Sequence, residues 1–259
     1  MWRGAERDPA TGATPILTYH SIDPSGSVIS IAPDAFGRQL RRLREAGFQG
    51  ISLGELLDVW EGKQMTSGRP VVLTFDDGFD SVAELAAPLL RELGFRATIF
   101  AVAGYCGRTN DWPSQPRGIP RLRLLSMPQL RDLAKDGLEI GAHGLGHAPL
   151  DALTPQQAER EVVESKLLLE DGLGRPVSVF AYPYGRAGRA TRDLVRSRYR
   201  AACSAMLQTA RVNDDRHWLG RIDMYYFREP WAFRLFGTPP GRAYLGLRAL
   251  GRSIQRRLP

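Results

Sequence analysis

The chain has 259 residues, 43% of them hydrophobic, and a formal net charge of +7. That size suits one large α/β domain as well as two small ones, and no apolar run reaches the ~18 residues that a membrane span needs. From Arg228 onward seven arginines (228, 234, 242, 248, 252, 256 and 257) face a single acid, Glu229, so residues 1–227 are nearly neutral and a nucleic-acid-binding core is not expected.

The first residues, Met1-Trp2-Arg3-Gly4-Ala5-Glu6-Arg7-Asp8, are charged and lack the apolar core of a secretory leader. Residues 1–14 are read as an extension. A short strand is expected over 16–19, ending at His20. A helix follows over 32–46, with Phe36, Leu40 and Leu43 on one face and Gly47 closing it. A second strand at 48–52 leads to a short helix through Trp60. Then come a strand over 71–75, a helix over 81–93 stopped by Gly94, and a strand over 97–102.

Residues 104–125 form a long segment rich in Gly, Pro, Arg and Trp, a length usually reserved for functional or mobile loops. Ser126 is a plausible N-cap for a helix stopping at Gly137, and a strand over 138–142 ends at His143. Thr154-Pro155-Gln156-Gln157 is a capping box with proline at the first helical position, opening a helix to about residue 171. A strand over 177–182 runs into Pro183-Tyr184-Gly185, and weaker strands follow near 201–203 and 219–224. Cys106 and Cys203 are far apart and lack metal-type spacing, so both are expected to be reduced and inert.

Strand and helix alternate throughout, with no internal break in composition. The expected fold is one α/β domain over 15–227, a distorted TIM-like (β/α) barrel of seven or eight βα units. Asp76-Asp77, His143 and Pro183-Tyr184-Gly185 each follow a predicted strand. In a barrel those strand ends share the face where active sites are built.

Two neighbouring carboxylates at a buried strand end repel each other and lose solvation, and a bound cation commonly offsets both costs. The alternative is an ordinary solvated turn, because Asp and Gly are turn residues. His143 and His147 are two of only four histidines, and they fall on the same face. Two imidazoles and one carboxylate make the open three-ligand set of a catalytic zinc, leaving the second aspartate as a base. Cobalt and nickel suit the same donors.

Thr74-Phe75-Asp76-Asp77-Gly78, the His143…His147 pair and Tyr182-Pro183-Tyr184-Gly185 occur in that order. Together they resemble the first three motifs of the polysaccharide deacetylases, the NodB-homology group that forms carbohydrate esterase family 4. The resemblance spans roughly residues 15–225 and implies a distorted (β/α) barrel. It implies that Asp76 is the general base, that Asp77, His143 and His147 bind a divalent metal, most simply Zn2+, and that the Tyr184 backbone N–H stabilises the oxyanion. The implied reaction removes acetyl groups from an N-acetylated glycan, releasing acetate and a free amine.

The chain also departs from that pattern. Gly144 stands where the family usually has Ser or Thr, and Ala181 stands where it usually has an arginine that braces the base. Arg221, from a later strand, is the expected substitute. The family's C-terminal Leu-x-His motif, source of the usual general acid, is absent. His217 precedes its predicted strand and so falls on the opposite barrel face. His20 follows the first strand, and it is read either as the acid or as a histidine hydrogen-bonded at a strand end. Trp112 and Tyr182 are candidate sugar-binding surfaces, with Tyr225 and Tyr226 beside them, although most such aromatics are core residues.

The leading expectation is N-deacetylation of N-acetylglucosamine residues in a polysaccharide or its precursor. A second keeps the hydrolase but moves it to a lipid-linked or nucleotide-linked sugar at the inner membrane surface. A third is an inactive, glycan-binding relative. The expected location is cytoplasmic, or the inner membrane face if the tail over 228–259 engages lipid. That tail interleaves Tyr244, Leu245, Leu247, Leu250, Ile254 and Leu258 with arginines, a pattern that fits an anionic membrane surface or a terminal helix packed on its own domain.

Overall fold

Strands buried on both faces dominate the centre, which is why the sequence shows short apolar runs there rather than alternation. The computed structural model describes residues 13–255, with side chains as far as Gly251. Eight strands form one parallel sheet: β1 (Ile16–Tyr19), β2 (Phe48–Ile51), β3 (Arg69–Phe75), β4 (Thr98–Ala101), β5 (Glu139–Ala142), β6 (Val179–Ala181), β7 (Ala201–Cys203) and β8 (Ile222–Asp223). Their spatial order is β7-β6-β5-β4-β3-β1-β8. The long strand β3 carries β2 on its first half (Phe48↔Arg69) and β4 on its last residues (Thr74↔Thr98).

The sheet curls into the expected distorted barrel. Its seam lies between β7 and β8, and one segment bridges it: Leu219 bonds both Ala202 and Ser204 on the β7 side, while Ile222 pairs with Leu17 of β1. Gly220 separates the two halves of this bridge, at a point where a Cβ would lie 2.2 Å from the Gln208 side chain. Side chains alternate about the curled sheet. Ile16, Val72, Phe100, Val179, Ala181, Ala201, Cys203 and Leu219 form one cluster inside the ring. Leu17, Tyr19, Leu73, Phe75, Phe180 and Tyr182 belong to the larger cluster between ring and helices.

Six helices cover the ring: α1 (Pro33–Glu45), α2 (Leu53–Trp60), α3 (Ala87–Leu93), α4 (Met127–Lys135), α5 (Pro155–Leu173) and α6 (Arg189–Arg198). Helix α1 buries Phe36, Leu40 and Leu43, and the Phe36 ring meets Tyr19 edge-on at 5.2 Å and Phe75 at 5.9 Å. Ser126 and Thr154 cap α4 and α5, each in a complete capping box. The helix expected over 81–93 is not uniform. It opens as a wide π turn over Val82–Ala86 before α3, because Pro88 has no N–H to give to Glu84.

The tail packs on the barrel through α7 (Pro230–Leu235) and α8 (Pro239–Gln255). Phe233 and Phe236 are buried, Phe236 meets Phe227 at 5.5 Å, and the Tyr244 hydroxyl donates to the Tyr226 carbonyl at 3.1 Å. The boundary expected at 227 therefore falls inside packed structure. At the other end, Ala13–Thr14 pairs with Ala210–Arg211, so the extension expected over 1–14 is tied down at its last residues. Residues 1–12, Arg256, Arg257 and Leu258, and the side chains of Arg252 and Ile254, lie outside the described residues. Among the described residues no helix is long and apolar enough to cross a membrane. Burial pushes the Cys106 thiol up to about 11 and Cys203 up to about 12, consistent with unreactive thiols.

Phe36→Ala removes the aromatic that joins α1 to the ring. It should destabilise the fold by about 3–5 kcal/mol, read as a lower urea midpoint with an unchanged slope.

Candidate active site

The alternation that builds the core also aims the site. Following the inward positions off the strand ends gives Ile16, Thr18 and His20 from β1; Val72, Thr74 and Asp76 from β3; and Glu139, Gly141 and His143 from β5. Asp76, His143 and His20 therefore converge inside one mouth. His143 Nε2 lies 3.9 Å from Asp76 Oδ2, and His20 Nε2 lies 4.0 Å from the same oxygen on the other side. Asp76 and His143 are buried, whereas the His20 side chain is 25% exposed and lines a small pocket with Thr18, Asp223 and Tyr225.

Asp77 has the wrong parity to point inward, and backbone geometry corrects it. Among the described residues, the non-glycine residues at positive φ are Asp77 (69°), His147 (54°) and Tyr184 (58°). All three belong to this site. A left-handed backbone at a non-glycine residue stores strain, and it persists where the surroundings over-determine it. Here it turns the Asp77 carboxylate and the His147 ring towards His143. Asp77 Oδ1 lies 3.2 Å from His147 Nε2 and 3.5 Å from His143 Nε2.

These three side chains fit a divalent metal. Their donor atoms lie within 4.8 Å of one another, all three residues are buried, and Asp77 Oδ1 has no hydrogen-bond partner among the described residues. Burial pushes His143 down to about 4, against the pull of Asp76, so its ring is neutral near pH 7. Its Nδ1 sits 2.8 Å from the Ala181 carbonyl, an acceptor, which places the proton there and leaves the Nε2 lone pair facing Asp77. Burial pushes the Asp77 carboxyl up, but the neighbouring His147 outweighs it and holds the group below the usual range. The His143 lone pair aimed at this carboxylate repels it unless a cation lies between them.

Arg221 reaches Asp76 from the barrel seam. Its Nη1 donates to Asp76 Oδ1 at 2.6 Å and its Nη2 to Oδ2 at 2.7 Å, a two-pronged pair in which both side chains are buried. The guanidinium also donates to the Ser204 carbonyl at 3.1 Å and to Thr74 Oγ1 at 3.3 Å. Burial raises the Asp76 carboxyl, yet the Arg221 charge overcomes it and leaves the group well below the ordinary carboxylate range. Ala181 faces the same interior, and its small side chain leaves room for an arginine from another strand.

Several supporting residues carry no sequence motif. Glu161 of α5 accepts from Leu145 N at 2.8 Å and from Gly146 N at 3.0 Å, bracing the loop between the two histidines. Gly144 matches it: its φ is +79°, and a Cβ there would lie 2.7 Å from Glu161 Oε2. A carboxylate from α5 thus holds this loop, where the family pattern uses a hydroxyl at 144. In the long segment, Ser114 Oγ donates to the His147 carbonyl at 2.7 Å, and the Tyr184 hydroxyl donates to the Ser114 carbonyl at 2.9 Å.

Two expected substrate-binding aromatics are corrected. Trp112 is only 2% exposed, and its ring lies 4.3 Å from that of His147, so it backs the metal loop rather than facing a cleft. Tyr182 is fully buried outside the ring against Phe180 and Trp218, because its parity on β6 is opposite to that of Ala181. The His217 ring bonds the Tyr199 carbonyl, at the end of β7 remote from the mouth.

A parallel (β/α) barrel that carries an Asp/His/His donor set beside an ionised carboxylate at its strand ends is able to hold a divalent metal at an open mouth. The polysaccharide deacetylase family profile matches residues 63–200, more than half of the chain, and the chain belongs to that family. It is 29% identical over 177 residues to the YxkH protein of Bacillus subtilis (strain 168), a match covering 68% of this chain and 58% of that protein. It is 24% identical over 165 residues to the poly-β-1,6-N-acetyl-D-glucosamine N-deacetylase of Staphylococcus aureus (strain N315), covering 60% of this chain and 54% of that one. The matches thus span little more than half the length of these relatives. Among solved structures, the Streptococcus pyogenes deacetylase PplD superposes with a TM-score of 0.71 at 23% identity, covering 82% of this chain and 92% of that chain. IcaB from Ammonifex degensii superposes at 0.70 and 24%, covering 90% and 97%. Both share this fold.

Glu161→Ala frees two backbone N–H groups of the histidine loop. Zinc affinity, read by chelator competition, should fall about 10- to 100-fold while the fold persists. Arg221→Ala strands a buried carboxylate beside a second one, and should cost about 3–5 kcal/mol in denaturant unfolding.

Proposed function

We propose that this protein is a metal-dependent N-deacetylase that removes acetyl groups from N-acetylglucosamine residues of a polysaccharide or its precursor. The observation that carries this reading is the Asp77–His143–His147 donor set lying beside a carboxylate, Asp76, that Arg221 keeps ionised. The names of relatives such as the Staphylococcus aureus enzyme above, and of a similarly named protein in Escherichia coli (strain K12), point to a β-1,6-linked polymer as the first substrate to try.

When bound by Asp77, His143 and His147, the metal supplies the Lewis acidity that makes water a competent nucleophile near neutral pH. Asp76 accepts a proton from that water as its oxygen reaches the amide carbon. Arg221 fixes both Asp76 oxygens, so the base keeps one orientation and is anionic before it takes that proton. The Tyr184 N–H, set by the left-handed backbone there, donates to the carbonyl oxygen as it becomes negative. Protonated His20 gives its proton to the nitrogen as the carbon–nitrogen bond breaks. The proton held by Asp76 then returns to His20, 4.0 Å away, and the products leave as a free amine and acetic acid, which ionises in solvent.

The test combines metal analysis with acetate release from β-1,6-linked and chitin-type oligosaccharides. Asp76→Asn should keep its metal and lose about 10²- to 10⁴-fold in turnover, whereas Asp77→Ala should lose metal and turnover together. His20→Gln should behave like Asp76→Asn, and wild-type turnover in that variant removes the acid role. A metal-loaded protein that releases no acetate from any N-acetylated glycan points instead to the glycan-binding reading.

A further inference from the structure

We infer that α7 and α8 form a docking surface for an anionic lipid bilayer, and that this surface adjoins the catalytic mouth. Helix α8 has two opposed faces. Tyr244 and Leu245 lie against the core, whereas Leu247 and Leu250 point away from it and are 70% and 60% exposed. Trp231 of α7 is 57% exposed and meets the Tyr244 ring at 6.0 Å, which places its indole beside α8. Arg234 and Arg242 of the same two helices are exposed, Arg248 is exposed beside the Tyr226 and Tyr244 rings, and no acid occurs anywhere after Glu229.

Exposed leucines and a tryptophan within a field of one charge sign are the composition of a helix lying in a membrane interface. The charge chooses the partner. A second copy of the chain would bring like-charged arginines together, whereas anionic headgroups neutralise them and admit the apolar side chains between.

The position relative to the active site follows from a short linkage. The Arg228 guanidinium lies 4.2 Å over the Tyr225 ring and reaches the Gly26 carbonyl at 3.5 Å. Tyr225, His20 and Val28 line one pocket at the mouth, and Val28 is itself 57% exposed. A protein seated on α7 and α8 therefore holds its mouth beside the headgroups, where a membrane-tethered or surface-accumulated glycan would be presented. The docking does not depend on the reaction assigned above, and its test needs no turnover.

The full chain is sedimented with vesicles of phosphatidylcholine containing phosphatidylglycerol and with pure phosphatidylcholine vesicles, at low and high salt. Binding is expected only to the anionic vesicles and should weaken with salt. The double variant Leu247→Glu/Leu250→Glu, both exposed, should keep the wild-type melting temperature and lose at least about tenfold in partition coefficient. Equal binding by variant and wild type overturns the proposal, since it would report general attraction to polyanions, as dissolved heparin would then confirm. Absence of vesicle binding, or a stable dimer in its place by light scattering, overturns it equally.

Discussion

Everything at the mouth depends on the buried pair between Asp76 and Arg221. Two consecutive carboxylates with almost no water cannot both stay charged unless each has its own counter-charge. The guanidinium takes both oxygens of Asp76, which leaves Asp77 free to serve the two imidazoles. A buried ion pair recovers its desolvation cost only with further hydrogen bonds, and Arg221 has them at Ser204 and Thr74, with the Phe100 ring 5.7 Å from its charge. The pair therefore does more than stabilise: it makes two chemically identical neighbours different.

The departures from the family pattern follow the same logic of conserved function at a changed address. Ala181 lacks the guanidinium usual at that position, and its inward-facing methyl leaves the space that Arg221 fills from the seam. Gly144 lacks the hydroxyl, its φ of +79° favours glycine, and Glu161 reaches in to hold the loop. In both places a charged group arriving from a distant element replaces a local one. Such swaps keep Asp76 and the histidine loop braced while altering which tertiary contacts must be intact.

Much of this was legible from sequence because strand ends and parity are local properties. Asp76, His143 and His20 each continue an inward series off a strand, and the end of each strand was marked by its own residues. Parity would also have removed Tyr182 from the site, since Ala181 and Tyr182 cannot both face inward. What stayed hidden depends on the tertiary path. Glu161 is one of several acids on a long helix, and nothing local distinguishes it from Glu159 or Glu164. Trp112 and Ser114 sit in an irregular segment whose course no periodicity predicts, so their packing against His147 appears only in three dimensions. The π turn ahead of α3 is visible in hindsight through Pro88.

The seam has a kinetic meaning as well as a geometric one. Beside the seam, Ile222 pairs with Leu17, a contact that joins the two ends of the barrel sequence and closes a long, entropically expensive loop. Arg221 immediately precedes that contact, and Leu219 just before it bonds the β7 side. The segment over 219–222 therefore both joins the ring and carries the counter-charge of Asp76, so any opening of the ring there would leave Asp76 as a repelled carboxylate beside Asp77.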